Sequence, residues 1–436
     1  MSAARTAAYR GTLLHCLDEP GPGRDAAVEC FDDGILVVAD GRVAEVGPAG
    51  AVLERLSADV PLVDYRGRLL VPGLIDCHVH FPQIDMIASY GERLLDWLER
   101  YAFPAERRFA DPEYAADAAG FFVEQLLANG TTSALVFATV HPQSVDAIFT
   151  AAAKRNMRLV SGKTLMDHGC PQDLRDDADS AIAESRALIE RWHGRGRLGY
   201  AITPRFAVTS SAAQLAAAGQ LAAEYPDVHV HTHLAENEEE IAEVARRFPD
   251  HASYLDVYRA HGLLRERAVF AHCLHLDDAD RRMLAAGGGA IAFCPTSNLF
   301  LGSGLFDYDA ARAAGIEVGI GSDVGGGTSL NLLRTLAEGY KVLQLKRQAL
   351  PPYRALYLAT LGAARALGLD DRIGSFRPGR EADFVVLDEG ATPLTARRAA
   401  AATSLEERLF ALTMLGDDRA VAATYVAGEP AWARVG

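Results

Sequence analysis

The chain has 436 residues, of which 49% are hydrophobic and 23% charged, an ordinary globular composition with room for more than one domain. Its formal net charge of −15 argues against a nucleic-acid or anionic-membrane partner and favours a neutral or cationic ligand. The six cysteines form no C-x-x-C pair, no stretch approaches the roughly 18 apolar residues of a membrane span, and the first 19 residues lack a signal-peptide core, so we expect a cytoplasmic protein.

Short apolar runs separated by turn residues occupy both ends of the chain. Asp40-Gly41 joins two of these runs and is a strong hairpin signal. The strand-like stretches of the two ends are residues 34–47, 382–388 and 421–428. We predict that the ends pair into one small β-sandwich domain, formed by residues 1–70 and 371–436.

The middle of the chain, residues 71–370, alternates strand-like and helix-like segments. The predicted strands are residues 74–79, 133–138, 158–165, 199–203, 228–233, 268–272, 290–294 and 317–321. The clearest helices are residues 112–129, 210–225 and 238–248. Ser210 is a candidate N-cap for the second of them. Eight strand–crossover units predict the α/β class and a (β/α)₈ TIM barrel, whose active site lies at the carboxyl ends of the strands.

The first barrel strand ends in His78-Val79-His80. Alternate residues of a strand share one face, so the two imidazoles project side by side and form half of a zinc-type site. The simpler alternative is a pair of structural histidines on a polar strand face. The rest of the chain offers further ligands in order, which favours a metal site.

Three more strands end in metal-binding residues. The fifth strand carries His229, His231 and His233 on one face, but only His233 lies at its end, and the two deeper residues are expected to be core histidines. The sixth strand ends in His272 and the eighth in Asp323. Three or four histidines with one aspartate make a nitrogen and oxygen ligand set that leaves a position for water.

This order of residues resembles the amidohydrolase superfamily, which has H-x-H after strand one, histidines after strands five and six, and aspartate after strand eight. The members of that superfamily with two metals carry a bridging lysine on strand four. Strand four of this chain, residues 198–205, has no lysine, and Lys163 lies on strand three. The sequence H-x-x-E from His233 to Glu236 is similar to that of the deaminases with one metal, so the resemblance implies one Zn²⁺ per chain.

Three stretches resemble the guanine deaminase family more closely: residues 78–83, 94–106 and 203–206. The resemblance implies hydrolytic deamination of guanine to xanthine and ammonia, in purine catabolism or salvage, by a homodimer. The middle stretch also has the pattern of an amphipathic lid helix. Trp97 and Phe103 are therefore expected to pack a lid or an interface rather than touch the substrate.

The resemblance also implies roles for individual residues. The metal ligands would be His78, His80, His233 and Asp323. Catalysis would fall to Glu236 as the proton carrier, to Asp323 as the acceptor of a proton from water, and to His272, which either ligates the metal or orients the water, the second being usual in this branch. The substrate would contact Gln83, Arg205, Phe206, His233, Glu236 and Asp323.

Three alternatives stay open at this stage. An aminohydrolase of the same architecture could act on another purine, a pterin, a triazine or a thio-nucleoside. A hydantoinase-like amide hydrolase is disfavoured because strand four lacks the lysine. A catalytically inactive scaffold is disfavoured because all four strand ends keep their ligands.

Overall fold

The computed structural model describes residues 6–21, 25–90 and 93–434. The predicted terminal segments, 1–70 and 371–436, include residues 1–5, 22–24 and 435–436, which lie outside this range. Within the described residues, no helix combines the length and the apolarity that crossing a membrane requires.

Sixteen strands are found in the described part of the chain. They are β1 Thr6–Cys16, β2 Val28–Ala39, β3 Arg42–Pro48, β4 Leu62–Pro72, β5 Leu74–His80, β6 Thr131–Phe137, β7 Arg158–Gly162, β8 Thr164–Leu165, β9 Leu198–Pro204, β10 His229–Leu234, β11 Ala268–His272, β12 Ala290–Phe293, β13 Val318–Ile320, β14 Phe384–Leu387, β15 Val421–Val426 and β16 Glu429–Ala433.

The α-helices of the same described ranges fill the connections. They are α1 Ala49–Leu53, α2 Leu94–Trp97, α3 Phe103–Arg107, α4 Pro112–Ala128, α5 Pro142–Lys154, α6 Ala178–Trp192, α7 Ala212–Glu224, α8 Glu238–Arg247, α9 Tyr254–Ala260, α10 Asp278–Ala286, α11 Pro295–Phe300, α12 Tyr308–Ala313, α13 Leu332–Leu345, α14 Pro352–Leu358, α15 Leu361–Ala366, α16 Pro393–Ala400 and α17 Leu405–Leu415. A π-helical turn, Leu98–Ala102, joins α2 to α3.

Eight of the described strands form a nearly closed parallel barrel in the order β5, β6, β7, β9, β10, β11, β12, β13. Almost every residue of these strands is buried, as expected for a parallel sheet that side chains fill from inside and helices cover from outside. Two backbone hydrogen bonds fasten the first strand to the segment after the last. The amide of His80 donates to the Val324 carbonyl, and that of Asp323 donates to the His78 carbonyl, both at 2.8 Å. The predicted barrel is confirmed.

The two ends of the chain share a second, seven-stranded mixed sheet in the order β16, β15, β14, β4, β1, β2, β3. Its core includes the stacked rings of Phe384 and Tyr425, whose centroids lie 4.3 Å apart. The hairpin between β2 and β3 turns at Asp40 and Gly41, which have φ values of 51° and 77°. Positive φ at both turn residues is the geometry that Asp-Gly favours. The pairing of the chain ends is confirmed, whereas the domain boundaries at 70/71 and 370/371 stay predictions.

Two local expectations were wrong. The third barrel strand is not continuous: it breaks at Lys163, whose backbone amide donates to the Tyr200 hydroxyl at 3.1 Å and whose fully buried Nζ atom lies 2.6 Å from Asp176 Oδ2. The N-cap of α7 is Ser211 and not Ser210, since the Ser211 hydroxyl accepts from the Gln214 amide at 3.1 Å. Asp167 decides between the two serines, because its carboxylate accepts hydrogen bonds from both the amide and the hydroxyl of Ser211.

Candidate active site

Five side chains surround one centre at the carboxyl end of the barrel: His78, His80, His233, His272 and Asp323. His80 Nε2 lies 3.2 Å from the Nε2 atoms of both His78 and His233. Asp323 Oδ1 lies 3.1 Å from His78 Nε2 and 3.3 Å from His80 Nε2. One atom from each of His78, His233, His272 and Asp323 lies within 4.8 Å of the others, which is a spacing that could hold a metal ion.

The backbone at two of the strand ends explains how these side chains reach the centre. His272 and Asp323 have φ values of 71° and 49°. The left-handed conformation is uncommon for residues other than glycine, and it tends to occur at functional sites. In both places the chain leaves its strand abruptly. Both side chains are buried, and so are the residues that follow them, Cys273 and Val324.

The proton positions within this group can be assigned from fixed partners. His233 Nδ1 lies 2.7 Å from the carbonyl oxygen of Arg205, which can only accept, so Nδ1 carries the hydrogen and Nε2 presents a lone pair to the centre. Burial lowers the pKa of His80 to about 3 and that of His233 well below its ordinary value. Both imidazoles are therefore neutral near pH 7, which is the form that binds a metal.

The carboxylate of Asp323 supplies the negative charge. Burial by itself would raise its pKa, but the adjacent His78 and His80 hold the pKa well below the usual range. Its Oδ1 atom faces those two histidines, whereas Oδ2 lies 3.7 Å from His272 Nε2. One oxygen thus points to the metal position and the other to the space beside it.

A zinc ion fits this arrangement. Neutral imidazoles and one ionised carboxylate are the donors that zinc binds in catalytic sites. His272 Nε2 is buried and, among the described residues, has no hydrogen-bond partner. An unpaired buried nitrogen beside a carboxylate calls for a bound ion or water.

Glu236 lies next to His272, after the end of β10. Its Oε2 atom is 3.4 Å from His272 Nε2, and its Oε1 accepts a hydrogen bond of 3.0 Å from the Ser303 hydroxyl. Burial and then the charge of Asp323 raise the pKa of Glu236 to about 8. This carboxyl therefore holds a proton at neutral pH. His272 is oriented from behind, because its Nδ1 lies 2.8 Å from Asn298 Oδ1.

The two deeper histidines of β10 lie below the centre, as the strand alternation predicts. His231 is fully buried, and its Nε2 lies 2.7 Å from His78 Nδ1. His229 is two residues deeper, where its Nε2 donates to the carbonyl of Leu367 at 2.8 Å. Thus His231 is not one of the five side chains but contacts one of them, His78, whereas His229 bonds a backbone carbonyl deeper in the barrel.

A cavity of about 380 Å³ opens above the five side chains. Its lining residues are His80, Gln83, Leu94, Trp97, Leu98, Arg205, Phe206, His233, Glu236, His272, Leu301, Asp323 and Gly326. Its lining of apolar and aromatic side chains with a few polar groups is typical of a small-molecule site. One wall is polar and carries Gln83 and Arg205, while the lid segment formed by α2 and the π-helical turn supplies an apolar wall.

All nine residues singled out from the sequence meet here: eight line the cavity, and His78 completes the group beneath it. Trp97, expected to pack the lid, is 2% exposed and also lines the cavity. Phe103 lies against the Arg205 guanidinium, which is 5.5 Å from its ring centroid.

Sequence reasoning missed Asn298 and Ser303, which orient His272 and Glu236. Their only sequence signal is that they lie in the segment between the seventh and eighth predicted strands.

Known proteins share this fold. The model of the Amidohydrolase family matches residues 69–431. The guanine deaminase of Escherichia coli (strain K12) is 52% identical over 409 residues, which cover 94% of this chain and 93% of that protein.

Two solved structures extend the likeness. The structure of E. coli guanine deaminase has a TM-score of 0.96 at 50% identity and covers 98% of this chain and 100% of that one. The guanine deaminase of C. acetobutylicum, solved with guanine bound in the active site, has a TM-score of 0.88 at 28% identity and covers 98% of this chain and 99% of that one. From the extent of these matches, the chain belongs to the amidohydrolase family.

Proposed function

We propose that this protein is a zinc-dependent guanine deaminase that converts guanine and water to xanthine and ammonia. The proposal rests on one small cavity in which two sets of functional residues face each other. The histidine and aspartate group forms its floor, and the hydrogen-bond donors Gln83 and Arg205 form one wall. The names of the relatives, which match nearly the whole chain, support the same substrate.

His78, His80, His233 and Asp323 would hold one zinc ion. Bound there, zinc would supply the Lewis acidity that ionises a water molecule near neutral pH. Asp323 Oδ2 lies on the side of His272 and is placed to accept the proton of that water. The free Nε2 of His272 is placed to orient the same water, since it faces both Asp323 and Glu236.

Glu236 would move the remaining protons. With its pKa raised to about 8, it holds a proton that it can give to a ring nitrogen of guanine as the water oxygen attacks the carbon bearing the amine. The new C–O bond forms, the C–N bond breaks, and the proton first taken from water leaves with the nitrogen as ammonia. The remaining proton of the new hydroxyl passes to Glu236 as the C=O bond of xanthine forms, which restores the protonated carboxyl. Ser303 holds one oxygen of Glu236, which leaves the other oxygen for this transfer.

Gln83, Arg205 and Phe206 would place the ring. An amide and a guanidinium suit the carbonyl and ring nitrogens of guanine, and Phe206 offers an apolar face for the flat ring. His233, Glu236 and Asp323 would face the reacting carbon from the floor. Assembly as a homodimer and a cytoplasmic location stay predictions of the sequence.

The experiment that tests the proposal measures ammonia release from guanine by the purified protein. We expect rapid release, loss of activity after chelation, recovery with zinc, and about one zinc per chain in the intact enzyme. A panel of other purines, a pterin and a triazine serves as the comparison. Rapid turnover of another ring with guanine inert, or two metals per chain, would overturn the assignment.

A further inference from the structure

Glu106 is a buried carboxylate that the proposed chemistry does not use. It belongs to α3, which follows directly on the lid segment, and it is 1% exposed. It is not among the residues that line the cavity, so it does not reach the ligand directly. The sequence stretch 94–106 contains it, but the proposed function gives it no role.

Glu106 contacts both polar residues of the cavity wall. Arg205 Nη1 donates to Glu106 Oε1 at 2.8 Å and to Oε2 at 2.7 Å. Gln83 Nε2 donates to Glu106 Oε1 at 3.1 Å. Among the described residues, no hydrogen bond joins Nε or Nη2 of Arg205 to the protein, so their hydrogens remain for a ligand. The guanidinium and carboxylate also cancel each other's charge at this wall.

The orientation of the Gln83 amide follows from its two fixed neighbours. Its Oε1 accepts from the backbone amide of Gly325 at 3.0 Å, and a backbone amide can only donate. Its Nε2 faces the Glu106 carboxylate, which accepts. The oxygen and nitrogen of a glutamine amide are assigned from such partners. An obligate donor on one side and an acceptor on the other therefore leave one orientation.

The polar wall thus offers the ligand N–H donors from both Gln83 and Arg205. A ring carbonyl has two lone pairs and can accept from both donors, whereas a bare ring nitrogen satisfies only one of them and an amino group there would oppose one donor with another. We propose that Glu106 is a positioning residue that sets substrate selectivity by keeping Gln83 and Arg205 in this arrangement. The inference takes its substrates from the proposed function. What it adds is which ligands the wall prefers, namely those with a carbonyl at the ring edge that faces Gln83 and Arg205.

The Glu106→Gln variant tests this inference. A glutamine at 106 has one acceptor oxygen where the carboxylate has two, so it cannot hold both Gln83 Nε2 and Arg205 Nη1 as Glu106 does, and one of the two donors loses its anchor. The measurement is kcat/KM for guanine and for 2-aminopurine, which keeps the reacting amine but lacks the carbonyl. We expect the wild type to prefer guanine strongly and the variant to lose roughly tenfold to a hundredfold of that preference.

The ratio of kcat/KM for guanine to kcat/KM for 2-aminopurine separates an effect on selectivity from an effect on folding. A merely structural role for Glu106 would reduce both kcat/KM values equally through a smaller active fraction and leave their ratio unchanged, which would overturn the inference. Glu99→Gln is the matched control, because it is the same change at an exposed position of the adjoining lid segment, and its ratio should equal that of the wild type. If Glu106→Gln does not fold, Glu106→Ala removes the acceptor that holds both donors, and an unchanged ratio in that variant likewise overturns the inference.

A binding measurement keeps this test independent of the proposed reaction. Hypoxanthine has the carbonyl, unsubstituted purine lacks it, and calorimetry gives the dissociation constants of both. The preference for hypoxanthine should fall at least about tenfold in Glu106→Gln. If the wild type releases no ammonia from guanine but this preference falls, the proposed function fails and the inference stands. If guanine is turned over and the preference is unchanged, the inference fails alone.

Discussion

Replacing His231 with leucine should weaken zinc binding while the barrel remains folded. His231 Nε2 lies 2.7 Å from Nδ1 of His78, and both rings are fully buried. When His78 binds zinc through Nε2, its ring becomes more polar, and His231 is placed to accept the Nδ1 hydrogen. A buried hydrogen bond to a charged group contributes about 1.5–3 kcal/mol. Because about 1.4 kcal/mol corresponds to a factor of ten, zinc affinity should fall by roughly tenfold to a hundredfold.

The assay is a competition titration of the zinc enzyme with a chelator of known affinity, with circular dichroism to verify folding. His229→Leu is the matched control. It removes a buried histidine from the same face of β10, but that histidine bonds the Leu367 carbonyl rather than the metal group. The control should keep the wild-type zinc affinity. Equal zinc affinities for a folded His231→Leu variant and the wild type would refute the reasoning.

Three further predictions concern catalysis, pH and stability. Glu236→Gln should lower kcat by about 10²–10⁴-fold with little change in guanine affinity, because the amide cannot carry the proton; single-turnover kinetics measure this, and near-normal kcat would contradict it. Burial lowers the pKa of His229 to about 4 from 6.5, so the unfolded chain binds the proton first as the pH falls. The contribution of His229 to stability should therefore be complete above about pH 6.5 and lost toward pH 4, so the drop that urea unfolding measures over this range should be about 3 kcal/mol smaller in His229→Gln than in the wild type. Glu381 pairs with Arg158 and Arg197 below the barrel, so Glu381→Gln should cost about 3–5 kcal/mol of unfolding free energy and leave KM unchanged; a shift in KM would argue against this purely structural role.

Much of the architecture follows from local pattern. Eight apolar runs alternating with helical periodicity predict the parallel barrel, because each strand must be buried on both faces. The turn at Asp40-Gly41 depends on the two residues that form it, since two residues with positive φ suffice to reverse the chain. The ends of most strands fall within one or two residues of their predicted positions. At the exceptions, Lys163 and Ser211, the backbone amide donates to a side chain that tertiary folding brings in, Tyr200 for the first and Asp167 for the second.

The candidate site, like the fold, has a part that the sequence predicts and a part that it does not. His78 and His80 are fixed as a pair by strand alternation, and the order of strand ends places His233, His272 and Asp323 at the same rim. These residues could be found from the sequence because the carboxyl ends of all strands in a parallel barrel lie at the same rim, independent of the loop conformations. The roles of individual residues rest on the family resemblance.

What the sequence by itself determined is which residues lie at the carboxyl end of the barrel. Only the tertiary structure decided how those residues are held. Glu106 reaches Arg205 across 99 positions of the chain, and Ser303 reaches Glu236 across 67. Such contacts depend on how the loops fold over the rim, and no periodicity encodes a loop's path. The chain's local pattern thus sets the floor of the cavity, while packing between distant loops sets its walls.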